Sequence, residues 1–307
     1  VDLGVDFGRQ YLEYSTYYND SFFVALRPNE VYTFSPGINY RWLSISYAFT
    51  PQIMDINNDD DLRGTTSYRR LSTGLSFDQF SLHGSWSNTR GFYLANMGTV
   101  NAQWRDGDEY LQFPDMEIRR FDLNALYRTN ANFSLKALAG GEEKQMRSAW
   151  SFLPGLNVQH FRFNTSAPDT TPGKVNLTRN LDINFVLPVA GTWVISKHFY
   201  LSGAAGPIVG VDFFNALAFD QNSEPTRSKG TRFSRGIYAK AHLVFNRPDW
   251  YAGVGQYVNS YRHSVTNNQR LAKTFTQFNL FGGLRIRPPK LLKNVMDWAE
   301  RVVPLLQ

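Results

Sequence analysis

The chain has 307 residues, with 32 basic and 26 acidic side chains for a net charge of +6, no cysteine, and 15% aromatics under a negative mean hydropathy. These numbers exclude a disulfide framework and a lipid-anchored cysteine at the first residue, and no run of 18 apolar residues makes a helical membrane span. No dense Lys/Arg block marks a nucleic-acid surface, and aromatic richness at negative hydropathy suits a wall that is apolar on one face only.

Residues 1–20 are acidic (Asp2, Asp6, Glu13 and Asp20 against Arg9), open without a signal peptide, and are expected to form a periplasmic arm of a processed chain. From there the chain alternates with period two. Tyr32, Phe34, Ile38 and Tyr40 oppose Thr33, Ser35, Gly37, Asn39 and Arg41, and Leu43, Ile45, Tyr47 and Phe49 oppose Ser44, Ser46 and Thr50. The pattern returns in Leu71–Phe77 against Arg70, Ser72, Gly74 and Ser76, and in Phe121–Tyr127 against Arg120, Asp122, Asn124 and Arg128. It recurs in Ile237–Phe245 against Tyr238, Lys240 and His242, and in Phe278–Ile286 against Gln277, Asn279 and Arg285.

Successive strand side chains point to opposite faces, so each segment carries one apolar and one polar wall. Five tight polar turns each lead into a large aromatic: Arg41-Trp42, Asp78-Gln79-Phe80, Asn130-Ala131-Asn132-Phe133, Lys197-His198-Phe199 and Pro248-Asp249-Trp250. Short turns on one rim, long loops on the other and aromatics at the rim predict an all-β, antiparallel, up-and-down transmembrane β-barrel over 21–287. A soluble sandwich alternates too, but does not explain aromatics at every turn.

The predicted strands are 21–29, 31–41, 42–52, 66–77, 79–92, 116–128, 131–145, 179–195, 199–214, 233–246, 250–263 and 273–287, about 12 in all. Segment 146–178 alternates only partly and is read as a large surface loop or an extra hairpin, the latter raising the count to about 14. Pro288-Pro289 stops the sheet, and 288–307 reads as a periplasmic amphipathic helix. Its Leu292, Val295, Met296, Ala299 and Val303 are the expected contacts to a partner or the membrane. An even strand number places both termini in the periplasm.

Three stretches carry a family resemblance: Leu26-Arg27-Pro28-Asn29 with Gly37 to Leu43, Lys144 to Leu153, and Gly283 to Lys290. In order along the chain they resemble an uncharacterised Bacteroidota outer-membrane barrel family, domain of unknown function 4421. The resemblance implies an outer-membrane barrel and no activity.

Candidate chemistry is sparse. His83-Gly84-Ser85 resembles the His-x-Ser of the outer-membrane phospholipase A and lipid A deacylase barrels, with Asp122 on the next strand to orient the imidazole. Here Phe80, Leu82 and Trp86 take the lipid face, so His83 and Ser85 are expected in the lumen, as a polar pair. The remaining histidines lack metal spacing, the Asn57–Asp61 run lacks the full calcium-loop pattern, and neither a metal nor another cofactor is expected. Arg41, Arg70, Arg120, Asp122, Arg128, Lys136, Lys240 and Arg285 form the expected lumen charge network, joined by Arg287. Opposed charges would close the lumen, whereas an unpaired arginine ladder would make a narrow anion pore.

The functional expectation is a non-enzymatic barrel in the cell outer membrane, an accessory or scaffold subunit of an envelope complex. The alternatives are a narrow solute channel and a lipid hydrolase. Expected partners are outer-membrane lipids including lipopolysaccharide and other outer-membrane or periplasmic proteins, with no nucleic acid.

Overall fold

A computed structural model of the chain describes residues 1–18, 22–29, 31–51, 59–140, 143–164, 174–219, 225–264 and 270–302. In order these form β1 (Asp2–Tyr17), β2 (Phe23–Arg27), β3 (Val31–Tyr40), β4 (Leu43–Phe49), α1 (Asp60–Arg63), β5 (Ser67–Ser76) and β6 (Phe80–Leu94). Next come α2 (Met97–Val100), β7 (Gln112–Tyr127), α3 (Leu135–Gly140), β8 (Ala149–Phe152), β9 (Gly155–Asn164), β10 (Lys174–Val186) and β11 (Val189–Val194). β12 (Phe199–Phe219), β13 (Pro225–Asn246), β14 (Trp250–His263), β15 (Arg270–Arg285) and α4 (Lys290–Val302) complete the chain.

The wall is a closed antiparallel ring of twelve strands: β1, β3, β4, β5, β6, β7, β9, β10, β12, β13, β14 and β15, with β1 pairing β15 to close it. The alternation seen in the sequence becomes the two faces of this ring. Leu3, Ile38, Leu71, Phe121, Phe185, Ile237 and Leu284 point outward and are exposed, as a wall in lipid requires. Gln10, Ser72, Asp122, Asn184, Ser202 and Gln277 point inward and are buried. A closed barrel leaves no strand at the edge of the sheet, so the backbone polar groups of the wall are paired within the ring wherever the strands run side by side.

The predicted strand number holds, but two of its members change. Residues 2–17, expected as an arm, form the seam strand β1, whose Asp2 pairs with Arg285 and Asn39 in register. Residues 131–145, expected as a strand, contain α3, and the strand falls instead on 149–164 within the segment read as a surface loop or an extra hairpin. That strand is β8 and β9 in line, interrupted where Pro154 has no N–H to donate. Its neighbour, β10 and β11 in line, is interrupted at Pro188, and Leu153 N donates to Pro188 O at 2.9 Å beside it. The loops expected at 93–115 and 215–232 are shorter, because β6, β12 and β13 run on beyond the predicted ends.

Val1 and the end of β15 lie together at the short-turn rim, where Val1 N donates to Ile286 O at 3.1 Å. At the loop rim β2 folds down to pair with β1 and β6, walling the side above the short strands β3 to β5. Asn57 and Asn58 of the acidic run lie outside the described residues. Asp59 and Asp60 accept from Asn29 Nδ2 at 3.2 and 2.9 Å, making a tied turn. At Gly91 (φ +88°) β6 skips register against β7; a Cβ there would lie 2.1 Å from Thr65 O.

Candidate functional site: a lumen closed at two levels

Toward the loop rim the wall fills its own interior. Asp182 of β10 accepts from Lys273 Nζ of β15 and lies 3.2 Å from His263 Nε2 of β14. Asp212 of β12 holds Arg232 Nη2 at 2.8 Å and accepts from Asn180 Nδ2 at 2.8 and 2.9 Å. Asp182, Asp212 and His263 are fully buried, so their charges depend on these partners. Lys273 also sits over the Phe161 ring at 4.0 Å, and Tyr14, Phe92, Met116 and Ile118 pack as an apolar cluster on this side.

Asp182, Asp212 and His263 bring ligand atoms within 4.8 Å of one another, the spacing of a metal site. Two cations, Lys273 and Arg232, already balance the two carboxylates, so an added metal ion would meet uncompensated repulsion. The set therefore works as a charge lock between five strands, β10 and β12 to β15. The sequence reading missed it, because its members are single polar residues spread from 182 to 273 with no local signal.

Toward the short-turn rim a piece of chain fills the side of the lumen against β8, β11 and β12. The connection from β7 to β8 turns inward, and α3 enters the barrel with Phe133, Leu135 and Leu138 packed on Leu153, Ala190 and Ala204. Ser134 caps the helix by accepting from Ala137 N at 3.0 Å. Gln145 ties the base of the plug through Ser134 N at 2.8 Å and Asn132 O at 2.6 Å. Arg128 donates to Phe133 O, and Tyr200 OH donates to Ala137 O at 3.4 Å.

Below the lock and beside the plug lies a chamber of 470 Å³, lined among others by Asp6, Ser35, Arg70, His83, Ser85 and Lys240. His83 and Ser85 thus face the lumen. Their strand pairs β7 with Ser85 opposite Asp122 and His83 opposite Asn124. Asp122 is engaged elsewhere: its Oδ2 accepts from Arg120 Nε at 2.7 Å and its Oδ1 from Gln159 Nε2 at 2.6 Å. Among the described residues no hydrogen bond links His83 to Ser85 or Asp122, so the three do not form a nucleophile–base–orienter relay.

The other expected charges separate by height. Arg70, Arg120, Asp122 and Lys240 line the chamber. Arg285 sits lower, 3.6 Å from Asp2 across the seam and 2.9 Å from Asn246 Oδ1. Lys136 rides on the plug helix, lining a small rim groove with Arg128 and Glu143, and is not on the wall. Arg41 is outside the lumen altogether. It stands on the two-residue turn between β3 and β4 with φ +57°, a left-handed conformation that costs a non-glycine residue strain.

That turn presents Arg41 to α4, to which it is paired through Asp297 at 2.5 Å and Glu300 at 2.8 Å. The hydrogen bond that Arg41 donates to Asp297 foremost raises the guanidinium above its ordinary range, so it stays charged. Trp42 Nε1 donates to Glu300 Oε1 at 3.2 Å. The helix is amphipathic as predicted, but of the expected contact residues Met296 is buried, and Leu292 and Ala299 are half-buried. Val295 is exposed, and Val303 lies outside the described residues. Trp298, overlooked in the apolar pattern, is among the most exposed side chains of the helix.

Solved outer-membrane structures are similar to the chain at low identity. The outer membrane protease OmpT from Escherichia coli is 9% identical with a TM-score of 0.42, over 93% of this chain and 97% of that chain. The translocator domain of autotransporter NalP from Neisseria meningitidis is 12% identical with a TM-score of 0.41, over 93% and 89%. The beta domain of the Bordetella autotransporter BrkA is 10% identical with a TM-score of 0.40, over 92% and 99%. No curated protein matches the sequence. The model of the domain of unknown function DUF4421 matches residues 8–285, almost the whole barrel, and the chain belongs to that family.

Proposed function

We propose that this protein is a closed barrel of the outer membrane, with both termini on the periplasmic side, that serves as an accessory or scaffold subunit of an envelope complex. The observation that carries the reading is the filling of the lumen, by the Asp182–Lys273–His263 lock above and the α3 plug below. A pore needs a wide polar path, and α3 narrows the lumen with its apolar contacts to Leu153, Ala190 and Ala204. The His83, Ser85 and Asp122 constellation faces inward, away from lipid substrates, and its carboxylate is committed to Arg120 and Gln159. With the lumen largely filled, what remains available for work is the outer wall, the rims and α4. Outer-membrane lipids, lipopolysaccharide among them, and neighbouring envelope proteins are the partners this surface can meet.

Mass spectrometry of what co-purifies from native membranes in mild detergent tests this reading. A stoichiometric set of envelope proteins is expected. A barrel that purifies alone and conducts steadily in planar bilayers would replace the scaffold reading with the narrow channel. The 470 Å³ chamber is the observation that favours this second reading, since its lining reaches Asn39, Ser44, Ser76 and Ser81 beside the short turns.

A further inference from the structure

Helices on soluble proteins bury their apolar face against their own domain and turn the charged face to water. α4 does the reverse. Its acids Asp297 and Glu300 grip Arg41 and Trp42 on the barrel rim, and Met296 is buried. On the far side Leu291, Val295, Trp298 and Val302 are 77%, 51%, 60% and 57% exposed. Their spacings of four, three and four residues put all of them on one stripe.

We infer that α4 is an interfacial helix that seats this stripe in the headgroup boundary of the leaflet at the short-turn rim, so the occupant is a lipid surface. Three observations choose lipid over a protein. The first is continuity with the membrane-facing wall: Trp42, which holds Glu300, stacks on Phe77 at 6.3 Å, and Phe77 packs at 4.5 Å on Phe80, an outward aromatic of β6. The end of α4 is therefore fastened to the aromatic ring that marks a barrel's interface level.

The second is the path of the helix. It leaves the end of β15 and reaches the β3–β4 turn, and the ring order there is β15, β1, β3, β4. Ten residues of helix span about 15 Å, and neighbouring strands lie about 4.8 Å apart, so α4 runs along the rim beside β1 and β3. The third is charge. Both acids of the described helix pair with Arg41, and together with Lys290, Lys293 and Arg301 the assembly keeps an excess of positive charge, preceded by Arg287. An apolar stripe with tryptophan beside Lys and Arg is the composition that lies in anionic interfaces.

The absence of native cysteine makes the test direct. Val295→Cys and Trp298→Cys, each carrying an environment-sensitive NBD fluorophore, are reconstituted as full-length protein in phosphatidylcholine bilayers with and without phosphatidylglycerol. Lys293→Cys, on the opposite side of the helix, serves as the reference. The expected result is blue-shifted emission at 295 and 298, quenching by lipid-borne nitroxide, and several-fold protection from aqueous iodide relative to 293. Equal iodide quenching at all three positions in both bilayers overturns the inference. Labels that are quenched in pure lipid and protected only in native membranes overturn it in favour of a protein occupant. Neither result touches the scaffold reading, which stands on the lumen.

Discussion

Toward the loop rim the lumen is filled by side chains of its own wall, with carboxylates and cations from four strands facing each other in a dry centre. Toward the short-turn rim it is filled by an inserted segment, where a six-residue helix brings Leu135 and Leu138 onto small wall residues such as Ala190 and Ala204. The first closure is built from side chains of the wall itself, so its charges stay in the lumen as long as the strands are paired. The second is a separate piece of chain held by a few hydrogen bonds, and could leave with the wall intact. A barrel of twelve strands is too wide for single side chains to meet everywhere, so one end needs added chain.

The largest effect is expected from unbalancing the lock. Lys273→Met leaves Asp182 buried with only His263 beside it, and should cost about 3–5 kcal/mol in urea unfolding of the reconstituted protein. The double change Lys273→Met with Asp182→Leu should recover most of that loss, because the desolvated charge is gone. If the single and double variants are equally unstable, the lock is not a charge-balanced unit.

Next comes the plug. Leu138→Ala should cost about 2–5 kcal/mol, as for other buried leucines. Its sharper readout is planar-bilayer conductance, where transient openings are expected for this variant and not for Lys273→Met. Openings in both would erase the distinction between the two ends.

Weaker effects are expected at the rim and in the chamber. Arg41→Ala removes a half-exposed pair of ion pairs, worth about 0–1 kcal/mol. It should show as faster proteolysis of α4 and not as a shift of barrel unfolding. Smallest of all is Ser85→Ala, which should change stability by less than about 0.5 kcal/mol. It should also leave the outer-membrane lipid profile unchanged. A changed lipid profile would revive the hydrolase reading.

Much of this was legible in the chain because a lipid-facing wall imposes period two directly. Leu71, Leu75, Phe121, Ile237 and Leu284 announce the outer face wherever they stand. The acidic start was misread because Asp2 and Asp6 suggested a solvated arm. In the ring those same residues are the inward polar positions of β1, where Asp2 faces Arg285 and Asp6 accepts from Asn279. Residues 131–145 were misread because Phe133, Leu135 and Ala137 alternate as a strand would, while Ser134, Leu135 and Leu138 equally fit a helix turn. A run this short cannot distinguish the two periods.

By itself the sequence determined the class of fold, the apolar and polar faces, the strand number and the amphipathic character of the tail. Each of these depends on neighbours within one strand or one helix. Which charges meet across the lumen was decided only by the closed ring, because Asp182 and Lys273 are joined by register around the barrel and not by anything nearby in the chain. The same holds for α3 inside the mouth and for α4 turning its charged face inward. An apolar side chain is written the same way whether it faces a plug pocket, a wall or a lipid surface, and only the packing of the whole ring leaves one of those surfaces in front of it.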